Sequence, residues 1–224
     1  MSFFRKISGL ERERGLEQER IRIARDLHDD LGTELAGLAL QLDVLHRSAN
    51  ADGWNGAGQL KLSSAILRDQ VSRTRELVWS VNPKCDSVLS LADFLQEKAE
   101  RYLRPCGVLL HFEFPTVIPA LPLAAQPRYQ LALCLREALT NIVRHARAAE
   151  VRLGFALSDG RLRVWIEDDG VGFETSAPAW GGLQNMRARM KGVGGGCTVQ
   201  SWLGQGTLLT FELPIDHEQR DRTN

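Results

Sequence analysis

The 224-residue sequence lacks the features that mark several specialised classes of protein. Its four cysteines are scattered and form no C-x-x-C pair, so neither a zinc site nor a disulfide framework is expected, and a reduced, cytoplasmic setting fits best. No uninterrupted apolar run approaches the roughly 20 residues that span a bilayer, and the start is too poor in apolar residues for a signal peptide. The 28 basic and 28 acidic residues balance, so charge alone indicates no partner, and we expect no nucleic-acid partner. With no membrane-spanning run, we also expect no membrane contact within this chain.

Proline is also missing from residues 10 to 47, which are dense in Glu, Arg, Leu and Ala. The apolar side chains of this stretch advance by three or four residues, which predicts an amphipathic helix: Ile21, Ala24, Leu27, Leu31, Leu35, Leu38, Leu42 and Leu45. A turn-rich break from Ser48 to Gly58 precedes a second helix, predicted over Gln59–Val81 and stopped by Pro83. Two antiparallel helices bury too little alone, so we expect a four-helix bundle in a homodimer.

The remaining chain has a different composition, in which short strand patterns alternate with helical ones. A third helix is predicted over Leu91–Leu103, and a long one over Arg128–Ala146. One more short helix is predicted over Leu183–Met190. Five strands are predicted, over Val108–Phe114, Glu150–Leu157, Arg161–Glu167, Cys197–Trp202 and Thr207–Leu213. Strands and helices after an all-helical start predict the α+β class.

One histidine on the first predicted helix has acidic neighbours. His28 is surrounded by Asp26, Asp29 and Asp30. A neutral imidazole is a good nucleophile, and an adjacent carboxylate can accept its ring proton, so Asp29 is the natural base. Taken alone, a histidine beside acids on a helix surface is more often an ordinary solvated residue.

Three polar residues are spaced four apart on the long helix: Glu137, Asn141 and His145. At that spacing they share one helix face. Such a face could hold phosphates and a hydrated Mg²⁺, which prefers oxygen ligands and keeps several waters, so Asn141 is the candidate metal ligand. An ordinary solvated helix face gives the same pattern.

Glycines follow the predicted strand that ends near Asp168. A carboxylate at a strand end can accept a hydrogen bond from an exocyclic amine, and Gly170 and Gly172 allow a ligand to approach the backbone closely. Turns after strands often have the same composition. Two further glycines open predicted elements, the first of them a helix start whose backbone donors suit phosphate: Gly182 before Leu183, and Gly206 before Thr207.

Together these segments carry a family resemblance. The segment Arg22-Ile-Ala-Arg-Asp-Leu-His-Asp-Asp-Leu-Gly32 resembles the phosphoacceptor box of two-component sensor histidine kinases in the nitrate- and membrane-fluidity-sensor subfamily, and Glu76–Pro83 resembles the end of that family's second bundle helix. In order and spacing, the downstream motifs resemble the N, G1, G2 and G3 boxes of the GHKL-type ATP-binding fold. Histidine kinases share this fold with type II topoisomerases, ninety-kilodalton heat-shock chaperones and mismatch-repair ATPases. The likeness covers about residues 19 to 83 and 106 to 214.

The resemblance implies a helical hairpin followed by an α/β-sandwich domain that binds ATP and Mg²⁺. His28 would be autophosphorylated, with Asp29 as base, and would pass the phosphoryl group to an aspartate in a response regulator's receiver domain. Glu137 would orient water around the metal and Asn141 would ligate it. The other implied nucleotide-binding residues are His145, Asp168 (to the adenine amino group), Gly170, Gly172, Gly182, Leu183, Gly206 and Thr207. Many members carry Gln or His where Thr33 stands, which leaves phosphatase activity open.

Five segments are expected: a signalling coiled coil or linker helix (1–18), the dimerisation and phosphotransfer hairpin (19–83), a connecting helix and hinge (84–105), the ATP-binding domain (106–214) and a flexible tail (215–224). No sensor domain is recognisable, so we expect either a longer natural protein with an upstream sensor and a membrane anchor, or a separate sensor that docks on the start of this chain. The alternatives are a GHKL-fold serine kinase, an ATP-driven clamp, and a degenerate dimeric scaffold. Transfer of labelled phosphate from ATP to His28 would distinguish a histidine kinase from these three alternatives.

Overall fold

The computed structural model describes residues 15, 18–23, 33–51, 57–174 and 181–215. These residues form two compact units, and the chain passes from the first to the second between Cys85 and Asp86. The predicted phosphoacceptor His28 and the predicted base Asp29 lie outside the described residues.

The first unit is a pair of helices, α1 (Thr33–Ala51) and α2 (Ala57–Val81), packed against each other. Small and branched apolar residues close the contact, with Ala39 and Val71 buried. Asp43 joins the two helices because it accepts hydrogen bonds from Ser64 and Arg68 on α2. The hydrogen bond from Ser64 is the main reason that the pKa of Asp43 is lowered. The polar cluster therefore fixes the register between the helices.

The predicted break after the first helix begins too early. Residues Ser48 to Ala51 continue α1, and α2 begins at Ala57 rather than Gln59. Alanine is the best helix former, and helix ends are weakly specified by propensity alone. The chain's first glycine in this region is Gly53, so nothing before it forces the helix to end.

Both ends of the passage between the units are held by hydrogen bonds. A short 3₁₀ turn, Pro83–Cys85, follows α2, and Asn82 accepts hydrogen bonds from the Lys84 N–H through its side chain and from the Cys85 N–H through its carbonyl. On the other side, the Leu123 N–H donates to the Asp86 carbonyl at 3.1 Å. The buried Arg128 guanidinium donates to the Asp86 carboxylate at 2.6 Å.

Helix α3 (Val88–Leu103) belongs to the second unit. Ser87 caps its start by accepting a hydrogen bond from the Ser90 N–H at 3.1 Å. Its apolar face is buried, including Leu91, Leu95 and Leu103. This helix is therefore packed into the core of the unit that begins at Asp86.

A mixed five-stranded sheet forms one layer of the second unit. Its strands are β1 (Leu109–Glu113), β2 (Glu150–Ser158), β3 (Arg161–Asp168), β4 (Gly196–Trp202) and β5 (Gly206–Pro214), in the order β1-β2-β3-β5-β4. Only the β1–β2 pair is parallel. Strand β3 alternates, with Leu162, Val164, Ile166 and Asp168 all buried on one face.

Helices α4 (Ala125–Asn141) and α5 (Gly181–Lys191) cover that face of the sheet, and α3 packs against α4 and β1. Their buried side chains include Leu131, Leu135 and Leu139 on α4 and Met186 and Met190 on α5. One helical layer on one sheet is an α/β sandwich. The predicted fold class, a helical hairpin followed by such a sandwich, is confirmed.

The long helix predicted over Arg128–Ala146 is not regular throughout. It begins at Ala125, and after Asn141 it widens into a five-residue π turn, Ile142–Ala146. The turn ends at Arg147, whose φ of 53° is left-handed. The last carbonyls of a helix have no partner within it, and here the Ala146 carbonyl accepts from the Val171 N–H at 2.8 Å. This tertiary hydrogen bond has no signal in the helical periodicity.

Candidate functional site

A cavity of about 270 Å³ opens where the end of α4, the end of β3 and the starts of α5 and β5 meet. Its lining is mainly apolar, with a few polar groups at separate places: Ala138, Asn141, Ile142, His145, Ala146, Asp168, Val171, Gly172, Phe173, Leu183, Thr207 and Leu209. Apolar walls with a few placed polar groups are typical of a site for a flat organic ligand.

The structure brings most of the sequence-predicted site residues to this cavity. Six of them line it: Asn141, His145, Asp168, Gly172, Leu183 and Thr207. Two more lie next to lining residues: Gly170 is against the backbone of Ala146, and Gly206 is against the backbone of Asp168. Glu137 is one helical turn before Asn141, and Gly182 precedes the lining residue Leu183. Of the predicted site residues, only His28 and Asp29 lie outside the part of the chain that the structure describes.

Asp168 is the buried acidic group of the cavity. It is the last residue of β3, is only 6% exposed, and accepts a hydrogen bond from the Gly170 N–H at 3.0 Å. Burial raises the pKa of this carboxyl group, while hydrogen bonds from the backbone of Gly170 and Thr207 act in the opposite direction. A partly desolvated acceptor of this kind favours a ligand group that donates a hydrogen bond.

The neighbouring Asp169 makes structural hydrogen bonds instead. The Asp169 carboxylate accepts hydrogen bonds from the Ala149 N–H at 2.8 Å and the Glu150 N–H at 2.9 Å. It therefore holds the start of β2, next to the parallel β1–β2 pair. The strand-end motif predicted Asp168 as the site residue, and the alternation of β3 agrees, since Asp168 shares the buried face with Val164 and Ile166. The role of Asp169 in holding β2 was not predicted.

The two glycines after Asp168 let the loop pass between two pieces of backbone. A Cβ atom at Gly170 would overlap the Ala146 carbonyl, and one at Gly172, where φ is +60°, would overlap the Trp202 carbonyl. Hydrogen bonds hold the same loop on both sides, since the Val171 N–H donates to the Ala146 carbonyl and the Gly204 N–H donates to the Val171 carbonyl. Any side chain at 170 or 172 would move the cavity wall.

Ser201 was missed by the sequence reasoning and organises the opposite wall. Its buried hydroxyl accepts from the Phe173 N–H at 2.9 Å, donates to the Gly206 carbonyl at 3.0 Å, and lies 3.0 Å from Thr207 Oγ1. It thus joins the loop after β3 to the start of β5. A signal exists in hindsight: in β4, Ser201 is a polar residue on the same face as Cys197 and Val199.

The apolar walls were also missed. They come from Ile142 in the π turn, Val171 and Phe173 in the loop, and Leu209 on β5. In the sequence these residues look like ordinary core or loop residues, since isolated apolar side chains carry no positional signal for a ligand. Their assembly depends on the docking of the loop between the π turn and β5.

The described residues contain no group of three or more His, Cys, Asp or Glu side chains that could hold a metal ion. The Asn141 side chain lines the cavity, and an amide oxygen can be one ligand of a metal ion whose other ligands are phosphate oxygens and water. Such a set fits Mg²⁺, which keeps several waters and is commonly bound together with phosphates.

Comparisons with known families agree with both units. A family model described as histidine kinase matches residues 19–86, and another, described as histidine kinase-like ATPase domain, matches residues 116–196. The chain belongs to the sensor histidine kinases. The matches give no support to the alternatives of a serine kinase, a clamp or a scaffold.

Individual histidine kinases are similar over most of the chain. The nitrate/nitrite sensor protein NarQ of Escherichia coli (strain K12) is 31% identical over 201 residues, which cover 88% of this chain and 35% of NarQ. The signal transduction histidine-protein kinase/phosphatase UhpB of Salmonella typhimurium is 32% identical over 210 residues, 90% of this chain and 40% of UhpB. The chain thus spans less than half the length of these two relatives.

A solved structure has the same fold. The histidine kinase domain of the blue-light activated histidine kinase from Erythrobacter litoralis EL346 aligns with a TM-score of 0.54 at 18% identity, covering 92% of this chain and 94% of that one.

Within the described part of this histidine kinase chain, none of the helices combines the length and apolar character that crossing a membrane requires.

Proposed function

We propose that the chain is an ATP-dependent protein-histidine autokinase that phosphorylates His28 and passes the phosphoryl group to an aspartate of a response regulator. The observation that carries the proposal is the cavity itself. Within a histidine kinase-like ATPase domain, it combines apolar walls with a buried carboxylate and an amide on different elements.

The purine end of the nucleotide would lie at Asp168. The exocyclic amino group of adenine is a hydrogen-bond donor, and an ionised carboxylate is a strong acceptor for it. Thr207 and the Ser201 hydroxyl behind it support this end, and Leu209 supplies apolar surface for the ring. A ligand lacking a donor at that position would desolvate the carboxylate further without adding a hydrogen bond to it, so we expect a preference for adenine.

The phosphate end would lie toward Asn141. Asn141 would ligate Mg²⁺ through its side-chain oxygen, and Glu137, one turn earlier, would orient water beside it. Bound Mg²⁺ neutralises the negative charge of the triphosphate. Of the other predicted residues, His145, Gly172 and Leu183 line the site, Gly170 and Gly206 allow close approach of backbone, and Gly182 lies against the Glu137 side chain.

The phosphoacceptor chemistry rests on the match of residues 19–86 to a histidine kinase model. Asp29 would take the proton from one imidazole nitrogen of His28 while the other nitrogen attacks the γ-phosphorus in line. A nitrogen–phosphorus bond forms, and the bond from that phosphorus to the oxygen of the ADP leaving group breaks. Positioning and charge neutralisation supply most of the catalysis in such a transfer.

The hairpin supports a homodimer. Several large apolar side chains of α1 and α2 are exposed in the single chain, among them Leu38, Leu40, Val44, Leu45, Leu62 and Ile66. Two hairpins that bring these surfaces together would form a four-helix bundle. The receiver domain of the response regulator would dock on this bundle near His28, and the stimulus would arrive from an upstream sensor in a longer, membrane-anchored protein whose kinase part is cytoplasmic.

Incubation with γ-labelled ATP and Mg²⁺ tests the function. The unmodified chain should take up label that is stable to alkali and labile to acid, as a phosphohistidine is. Label should be lost in His28→Gln and retained in His46→Gln, a matched histidine on α1 outside the resembling box. Label that persists in His28→Gln, or that is stable to acid, contradicts the proposal, and ATP binding without any label would favour a clamp or scaffold.

A further inference from the structure

Gly182 lies against the carboxylate of Glu137. These residues come from different elements, since Glu137 is on the last turns of α4 and Gly182 is the second residue of α5. An ideal Cβ atom at 182 would overlap Glu137 Oε1 and would lie 3.1 Å from Glu137 Cδ. Real Cβ atoms do not come that close to an oxygen, so the carboxylate occupies the space that a side chain at 182 would need.

The adjacent glycine is different. A Cβ atom at Gly181 would meet nothing within 4 Å. Neither Gly181 nor Gly182 has a positive φ, so both positions could accept alanine without backbone strain. Conformation therefore does not explain a glycine at 182, whereas the space taken by Glu137 does.

We infer that Gly182 is a positioning residue, whose missing side chain lets the Glu137 carboxylate stay beside the start of α5 at the edge of the nucleotide cavity. The carboxylate is the flexible end of its side chain, so a methyl group at 182 would displace it and leave the helices in place. The inference rests on the proposed function for what Glu137 does, and on geometry alone for where Glu137 lies.

The consequence is a defect in rate more than in binding. In Gly182→Ala, the displaced carboxylate could no longer orient water beside the metal, and a misplacement of about 1 Å can cost on the order of 100-fold in rate. We expect autophosphorylation at saturating ATP to fall by about 10- to 100-fold. The dissociation constant for ATP should change much less, because the cavity lining around Asp168 is untouched.

Two controls isolate the contact. Gly181→Ala places the same methyl group one residue earlier, in open space, and should have little effect on the rate. In a Glu137→Ala background no carboxylate remains to be displaced, so adding Gly182→Ala should lower the residual rate no further. If Gly182→Ala lowers the rate by the same factor in both backgrounds, or if Gly181→Ala is equally harmful, the positioning role is wrong.

A spectroscopic measurement separates this inference from the proposed function. With glutamate ¹³C-labelled at Cδ, the Glu137 signal can be identified by its loss in Glu137→Gln of the full chain. Gly182→Ala should shift that signal and Gly181→Ala should not, whether or not the chain phosphorylates itself. An unshifted Glu137 signal in Gly182→Ala overturns the inference, while absence of autophosphorylation with a shifted signal overturns only the proposed function.

Discussion

The two units of the chain differ in how far their large apolar side chains are buried. In the second unit, Leu95, Leu131 and Leu135 are fully buried between the helices and the sheet. In the first unit, Leu62 is 61% exposed and Ile66 is 55% exposed, although both lie on a helix that packs against its neighbour. The second unit has the layers needed to enclose a core, whereas two helices have only one shared seam.

This difference assigns separate tasks to the units. A unit with its own core can hold a cavity whose walls come from several elements, as the nucleotide cavity requires. A hairpin with exposed apolar surface needs a partner to cover it, and a second copy is the partner we propose. Substitutions test this division, because each should change either dimerisation of the first unit or ATP binding by the second, and not both.

The largest effect is expected at the exposed face of the hairpin. The double substitution Leu62→Glu with Ile66→Glu should weaken dimerisation by at least 100-fold, because burial of each such side chain contributes about 1.5–3 kcal/mol. Sedimentation equilibrium of the full chain measures the association. Leu89→Glu, at an exposed leucine of the second unit, is the control and should leave the dimer intact. A dimer that is unaffected by the double substitution would contradict the bundle.

A smaller effect is expected at the buried carboxylate of the cavity. Asp168→Asn should raise the dissociation constant for ATP by about 10- to 100-fold, since hydrogen bonds to charged groups contribute about 1.5–3 kcal/mol. The free energy of unfolding should not fall, because the amide removes a charge whose burial is unfavourable. Calorimetric titration and urea denaturation measure the two quantities. Dimerisation should be unchanged, so a shift in the monomer–dimer equilibrium would count against the separation of tasks.

The smallest effect concerns pH. Burial raises the pKa of Asp168 in the folded state above its unfolded value. The folded state therefore holds this proton more tightly, and the contribution of Asp168 to stability improves as the pH falls from above the folded pKa toward the unfolded one. ATP affinity changes in the other direction, because a protonated carboxyl is a poorer acceptor for the adenine amino group.

Comparison of the wild-type chain with Asp168→Asn across mildly acidic pH measures this contribution. The difference in unfolding free energy between the two proteins should shrink as the pH falls. The two proteins should dimerise equally at each pH, because the first unit is the same in both. A difference that grows on acidification would show that the folded pKa of Asp168 is lowered, against the expectation.

Much of the second unit could be predicted because its signals are local. The alternation of β3 and the turn between β2 and β3 are visible in the residues themselves, and the predicted strand bounds agree with the observed ones to within one residue. Asn141 and Asp168 were singled out because their motifs have a characteristic spacing, and the fold brings both to one cavity. Their roles remain predictions until the substitutions are made.

Other parts of the site had no local signal. The π turn after Asn141 forms with a hydrogen bond to Val171, a residue in a distant loop, and helical periodicity continues through it unchanged. Ser201 acts through Phe173 and Gly206, which only the sheet brings near it. The contact between Gly182 and Glu137 likewise joins two helices that are far apart in the chain.

The order of the elements, the division into a helical part and a mixed part, and the residue types of the phosphoacceptor and nucleotide motifs are all readable in the sequence. These follow from periodicity, turn residues and short-range spacing, which act between near neighbours in the chain. Only folding shows that Asp169 holds the start of β2 through the Ala149 and Glu150 N–H groups, and that Gly182 makes room for a carboxylate. Such choices depend on which backbone and side chains meet after folding, and close packing makes them specific to a fraction of an ångström.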